Sequence, residues 1–394
     1  MRKKIYFYIS LNLLCLLFII FVINLFGCTQ REKIIEIGSQ NVYSGEFKSY
    51  GQEQLVSMSL AAKELAPVII GGYDHKISIV AKDDEGNPEK SFLVSQELIQ
   101  EEVLGVIGSA FNATTKAAIP NYLEYNIPII TTSAPGDDLA KPGSNFFRVI
   151  ISNNQVVENV AKFIINEIKP HNAVFIDDGS EYSVNFINFL SGTIKDNETK
   201  DFEIIKQYSL KPETEDYKLL AENLLLDGAD LIFFCGEYNV LAKIATEART
   251  VGVQSLFLTE KQSMSEGILQ LAEPEFLEGI MSIIPQPPSL AMFSEDPKAI
   301  EFWRKFKDTA STIKGIDISE PGEFAPYAYD AFYVIIEAMK NANSILPEDY
   351  IDDLRNISYD GVTGKIEFDS SGNLKDPQST VFIIKNGSWV RYQK

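Results

Sequence analysis

The stretch Gly105–Pro120, "GVIGSAFNATTKAAIP", decides the fold. A short apolar strand runs into a loop of small and hydroxyl residues, then into a helix opening near Asn112. That order is the strand–loop–helix unit of a parallel sheet. In open sheets of this kind, ligands sit beyond the carboxyl ends of the strands. The helix start offers backbone N–H groups and the positive end of its dipole, which suit a carboxylate.

The same alternation continues on both sides. Strand-like runs "KIIEIGS", "KISIVAKDD", "IPIITTS", "NAVFIDD", "EIIKQYSL", "ADLIFFCG" and "SLFLTE" are separated by amphipathic stretches such as "SFLVSQELIQEE", "QVVENVAKFIINEI" and "VLAKIATEARTVG". Near-continuous apolar strands separated by helices predict α/β architecture, with parallel sheets covered on both faces. A chain of 394 residues is long enough for two such sheets, hence two doubly wound lobes joined by a hinge. The spacing puts a first crossing near Ile150–Asn154 and a return at the Pro-rich "PQPPS" (Pro285–Ser289). The expected division is 33–152 plus 284–356 for lobe 1 and 153–283 plus 357–394 for lobe 2. The chain should close in antiparallel strands with turns at "DSSGN" and "KNGS".

The N-terminus stands apart. "MRKK" precedes an apolar run from Ile5 to Phe26, and "LFGC" brings a small residue just before Cys28. This resembles a bacterial lipoprotein signal: residues 1–27 would be removed and Cys28 would carry lipid. An uncleaved anchor helix is the alternative. Either one places the globular part outside the cytoplasm, held to the membrane. With Cys15 in this segment and Cys28 lipidated, Cys235 is left alone in an apolar strand, where a small buried hydrophobe is expected.

Catalytic chemistry has little to work with. His75 and His171 sit in loop-like "YDHK" and "KPHN", without a metal-ligand partner at helical spacing. There is no nucleophile elbow, phosphate loop or dinucleotide fingerprint. The acidic pairs Asp83-Asp84, Asp137-Asp138, Asp177-Asp178 and Asp352-Asp353 read as loop and cap carboxylates. A net charge of −20 argues against a nucleic-acid partner. Neither a cofactor nor a metal is expected.

At this point the chain resembles the extracytoplasmic solute-binding proteins of the leucine/isoleucine/valine type, the type I periplasmic binding protein fold. The marks are "YSGEFKSYG" (Tyr43–Gly51), "KDDEGNPEKS" (Lys82–Ser91), "GVIGSAFNATT", "IPIITTSA", "FFRVI", "IDDGSEYS" (Ile176–Ser183), "YAYDAF" (Tyr327–Phe332) and "YDGVTGKIEFDSSGN" (Tyr359–Asn373), in order along residues 34–394. The resemblance implies a binding protein, not an enzyme. A small ligand, an aliphatic amino acid or a related carboxylate or amide, would be captured between closing lobes and delivered to ABC permease subunits by a monomer.

The resemblance also implies site residues. Asn112, Thr115, Ser133 and Ala134 would lie in the two carboxylate-binding loops, with Tyr50 and Phe111 beside them. Tyr182 would cover the ligand from the second lobe. Asn154 stands where relatives carry aspartate at the start of the second lobe's first helix. Glu260 or Glu237 would meet an ammonium group, with Lys261 departing from the pattern. Cysteines that some relatives bridge are replaced by Gly86 and Phe111. Two other uses of the fold stay open: a sensor presenting its ligand to a membrane receptor, and an extracytoplasmic enzyme working through Asp177 or Glu260.

Overall fold

The computed structural model describes residues 33–196, 202–211, 216–285 and 297–393. The expected leader with Cys28 and most of the Pro-rich return segment lie outside them. Among the described residues, no helix is long and apolar enough to cross a membrane.

The first sheet is built from β1 (Lys33–Asn41), β2 (Val68–Ile70), β3 (Tyr73–Asp83), β4 (Val106–Gly108), β5 (Ile129–Thr131) and β6 (Phe146–Arg148), in the order β2-β3-β1-β4-β5-β6. All neighbours are parallel except β2 and β3, which form a hairpin at one edge. The connections are α1 (Lys48–Leu65), α2 (Pro88–Gln100) and α3 (Asn112–Glu124). Alternation along each strand assigns its two faces. Ile107, Ile130 and Phe147 pack with Ile35 and Ile37, while Val106, Ile129 and Phe146 pack with Leu98 and Tyr122. Both faces are therefore dry, as continuous apolar strands require.

The chain then enters the second sheet through α4 (Asn153–Phe163), which Ser152 caps reciprocally with Gln155. The elements that follow are β7 (Asn172–Asp177), α5 (Glu181–Asp196), β8 (Glu203–Ser209), α6 (Lys218–Asp227), β9 (Leu231–Cys235), α7 (Tyr238–Thr250), β10 (Leu256–Glu260), α8 (Pro274–Leu277) and β11 (Met281–Pro285). Helices α9 (Pro297–Ala310), α10 (Ala325–Ala342) and α11 (Pro347–Arg355) return to the first sheet, with α10 against α1. A hairpin of β12 (Tyr359–Gly361) and β13 (Gly364–Ile366) comes next, then β14 (Ser379–Lys385) and β15 (Ser388–Arg391). The second sheet runs β15-β14-β11-β10-β9-β7-β8, with β14 and β15 antiparallel.

Two features differ from the sequence reading. Residues from 357 onward were expected in lobe 2, but Ile357, Ile366, Phe368 and Leu374 lie in the core of the first sheet with Phe147 and Val149. Their apolar side chains are buried there, so the return to the second sheet comes with β14. His75 is not in a surface loop. It lies in β3 paired with Lys33, is 3% exposed, and its Nδ1 meets the Tyr73 carbonyl at 2.9 Å.

Candidate functional site

Close packing at strand ends shapes the first lobe's rim. Gly108 ends β4 at φ +133°, where a Cβ would stand 1.8 Å from the Gln40 carbonyl oxygen. Only glycine lets the following loop turn so tightly against β1. Beneath that loop lies a buried polar network. Ser109 Oγ donates to Asp84 and meets Thr114 Oγ1 at 2.8 Å. Gln40 Nε2 donates to Ser91 Oγ at 2.5 Å, and the Tyr122 hydroxyl donates to Gln40 Oε1 at 2.5 Å. Burial pushes the Asp84 carboxyl up despite its bonds to Ser109, the Gly86 amide and Gln40. A second set joins Asn41 and Thr132 to Gln54 Oε1, at 2.8 and 2.6 Å. These groups fix the loops to the sheet, which makes the rim rigid.

The expected lobe 1 residues gather on this rim. Asn112 Oδ1 accepts the Gly136 N–H at 2.8 Å, tying the start of α3 to the Ser133–Gly136 loop. Thr115 Oγ1 donates to the Ser109 carbonyl at 3.2 Å, and Ser133 Oγ donates to the Ala110 carbonyl at 3.0 Å. Ala134 is fully buried, its N–H on Thr131 Oγ1 at 3.1 Å. These hydroxyl hydrogens are therefore spent on building the loops. The N–H groups of the first turn of α3 have no intrahelical partners. Tyr50 and Phe111 form an apolar collar with Phe47 and Phe324, at ring separations of 5.3 to 6.2 Å.

The second lobe contributes a different chemistry. Gly236 follows β9 at φ +154°, with Asp178 packed where a Cβ would lie. Asp178 accepts from the Glu237 N–H, the Ser180 N–H and Ser183 Oγ, which hold its carboxyl below the usual range against a burial cost. Glu260 ends β10 and is 2% exposed. Its Oε2 accepts the Gln262 N–H at 2.9 Å and the Tyr182 hydroxyl at 3.4 Å; Cys235 Sγ approaches Oε1 at 3.8 Å. Burial pushes the Glu260 carboxyl up to about 7, and pushes the Tyr182 hydroxyl and Cys235 thiol up as well. Glu237 is exposed and accepts from Gln262 Nε2 at 2.7 Å. The two acids considered for an ammonium group are thus joined through one glutamine, with Glu260 the buried one.

Asn154 lies between these clusters. Its N–H donates to Asp137 Oδ1 at 3.0 Å, and it lines a cavity of about 350 Å³ together with Asp137, Tyr182, Asn185, Phe186 and Phe189. Lys261 forms an ion pair with Glu323, just ahead of α10. Sequence reasoning did not single out Gln54 or Thr132, and it read Asp84 and Asp137 only as loop and cap carboxylates, a role Asp137 fills by accepting the Asn154 N–H. The position of Asp84 and Asp137 after apolar strands was the only available signal. Among the described residues, no cluster of His, Cys, Asp and Glu could hold a metal ion.

A family model described as "Periplasmic binding protein" matches residues 34–387. The chain is 23% identical over 350 residues to the leucine-, isoleucine-, valine-, threonine-, and alanine-binding protein of Pseudomonas aeruginosa, covering 88% of this chain and 89% of that one. It is 21% identical over 350 residues to the leucine-specific-binding protein of Salmonella typhimurium, covering 88% and 90%. Among solved structures, it is similar to the substrate binding protein LivJ of Streptococcus pneumoniae in complex with isoleucine, at TM-score 0.60 and 24% identity over 91% of this chain and all of that one. It is also similar to a putative branched-chain amino acid ABC transporter protein of Rhodospirillum rubrum, at TM-score 0.77 and 18% identity over 91% and 100%. At these identities, the likeness to solved structures shows the fold.

Proposed function

The chain belongs to the periplasmic binding protein family, and on that premise we propose that it captures a small dipolar ligand between its lobes for an ABC importer. The ligand class is an aliphatic amino acid of the branched-chain kind, in keeping with the names of the relatives. Its carboxylate would sit on the first-turn N–H groups of α3, between the Asn112 and Ser133 loops. Its ammonium would meet Glu260. Tyr50, Phe111 and Tyr182 would exclude water from the closed cleft, which strengthens both charged contacts.

The single observation carrying this reading is the buried Glu260 carboxyl at the end of β10, within hydrogen-bond reach of the Tyr182 hydroxyl. An acid buried without a cationic partner is costly to keep, and a bound ammonium supplies that partner. Domain closure on a ligand is a hinge motion of the kind periplasmic binding proteins illustrate. The lobe division with 357–374 moved to the first lobe, the lipid on Cys28, the extracytoplasmic location and the monomeric state belong to the same proposal.

Thermal unfolding of the chain with a panel of amino acids, dicarboxylates and amides tests it. A ligand at about 100 times its dissociation constant adds about 2.7 kcal/mol. A branched-chain or other aliphatic amino acid is expected to give the largest shift. Stabilisation only by ligands lacking an ammonium would overturn the assignment of Glu260.

A further inference from the structure

We propose that the end of the first lobe where the chain enters the fold lies against the lipid bilayer. This inference rests on reading the N-terminal segment as a membrane anchor, whether a lipid on Cys28 or a retained apolar helix. Only five residue steps separate Cys28 from Lys33, the first residue of β1. Five extended residues reach at most about 18 Å. An anchor that close holds this end of the lobe at the headgroups.

The surface there has the chemistry for it. The start of β1, the β2–β3 turn and the α10–α11 loop meet at one end of the sheet. Lys33 pairs with His75, Ile70 pairs with Tyr73, and the Gly71 N–H donates to Asn343 Oδ1 at 2.9 Å. They enclose a shallow groove of about 340 Å³ lined by Ile34, Ile70, Tyr73 and Ile345, among others. Of its lining, Tyr73 and Ile34 stand in solvent at 47% and 46% exposure, and Ile69 (68%) and Leu346 (48%), each next in sequence to a lining residue, are exposed at the same end of the sheet. Single exposed apolar residues are ordinary, but several around one groove mark an interaction surface.

The polar groups select a bilayer as the occupant. The Lys33 ammonium lies 3.1 Å from the centroid of the Tyr73 ring. An aromatic with a polar tip beside a lysine that can reach outward is the pairing that membrane–water interfaces favour. The nine residues of β1 span about 27 Å, so the ligand cleft at the far end of the strands stands clear of the headgroups.

The test uses the full chain reconstituted into vesicles of phosphatidylethanolamine and phosphatidylglycerol. Ile69→Cys, Tyr73→Cys and, on the second lobe, Leu226→Cys are each labelled with an environment-sensitive fluorophore. The unsubstituted chain sets the background. Quenching by a spin-labelled phospholipid is expected to be about twofold or more stronger at positions 69 and 73 than at 226. Ile69→Glu in the Tyr73→Cys chain should reduce the quenching at 73 while leaving ligand stabilisation unchanged. Flotation with the vesicles and equal quenching at all three positions would overturn the docking proposal and leave the anchor reading intact. Failure to float would overturn the anchor reading and the proposal with it. A signal that depends on protein density and not on the quencher would assign the patch to a second copy of the chain, and would also overturn the proposal.

Discussion

Replacing Glu260 by glutamine should stabilise the empty protein and weaken ligand binding. Burial raises the folded-state carboxyl from 4.5 to about 7. The fold therefore binds this proton more tightly than the unfolded chain does. The sign follows directly: the group costs nothing below about pH 4.5, and stability falls as pH rises toward and past 7. At about 1.36 kcal/mol per pH unit between 4.5 and about 7, the loss is bounded at about 3 kcal/mol by pH 8. Glutamine does not titrate, and its amide oxygen can still accept the Gln262 N–H that Glu260 accepts at 2.9 Å. Urea unfolding at two pH values isolates the effect. Glu260→Gln should exceed the parent by about 2–3 kcal/mol at pH 8 and by under about 1 kcal/mol at pH 5. Losing one partner of a desolvated charge pair costs about 2–5 kcal/mol of affinity, so the variant should bind an amino acid at least thirtyfold more weakly. In the parent, the ionised fraction of Glu260 rises about tenfold from pH 6 to pH 8, and affinity for an ammonium ligand should rise with it. An equal stability difference at both pH values, or a variant less stable at pH 8, would refute the reasoning.

Three further substitutions probe the frame around the site. Gly51→Ala should destabilise by about 2–3 kcal/mol in urea unfolding, because the new Cβ would lie 2.1 Å from the Val42 carbonyl oxygen and both are backbone-fixed. Asp330→Asn should cost about 2–3 kcal/mol: the buried carboxylate accepts the Val362 N–H at 3.0 Å and the Thr363 N–H at 2.7 Å, and an amide NH₂ would face one of these donors. Lys261→Ala should change stability by under about 1 kcal/mol, since both partners of its pair with Glu323 are about half exposed, and should lower ligand affinity less than Glu260→Gln does.

Much of this arrangement was legible in the sequence because it is local. The strand–loop–helix units follow from apolar runs, and the turns at "DSSGN" and "KNGS" from their residues. Asn112 at the start of α3 and Glu260 at the end of β10 could be placed by the same rule. What escaped depends on long-range packing. The 357–374 segment is short and mixed in polarity, so only the groove waiting beside Phe147 decides which sheet it joins. His75 follows a Gly-Gly turn, which reads as loop until β1 supplies the pairing that makes it strand. The hydroxyls of Thr115 and Ser133 were expected to face a ligand. Their carbonyl partners, six and twenty-three residues away, turn them into the loops instead. Gln54 could not be picked out at all, because nothing in its neighbours in α1 announces Asn41 and Thr132.

The central claim is a ligand gripped by both of its charges. Calorimetric titration of the chain with leucine, with 4-methylpentanoate and with leucine amide tests it most directly, since each analogue removes one charge. The account predicts that leucine binds and that either analogue binds at least tenfold more weakly, because one buried partner is left unpaired. Equal binding of 4-methylpentanoate, or no heat with leucine or any other aliphatic amino acid, would contradict it.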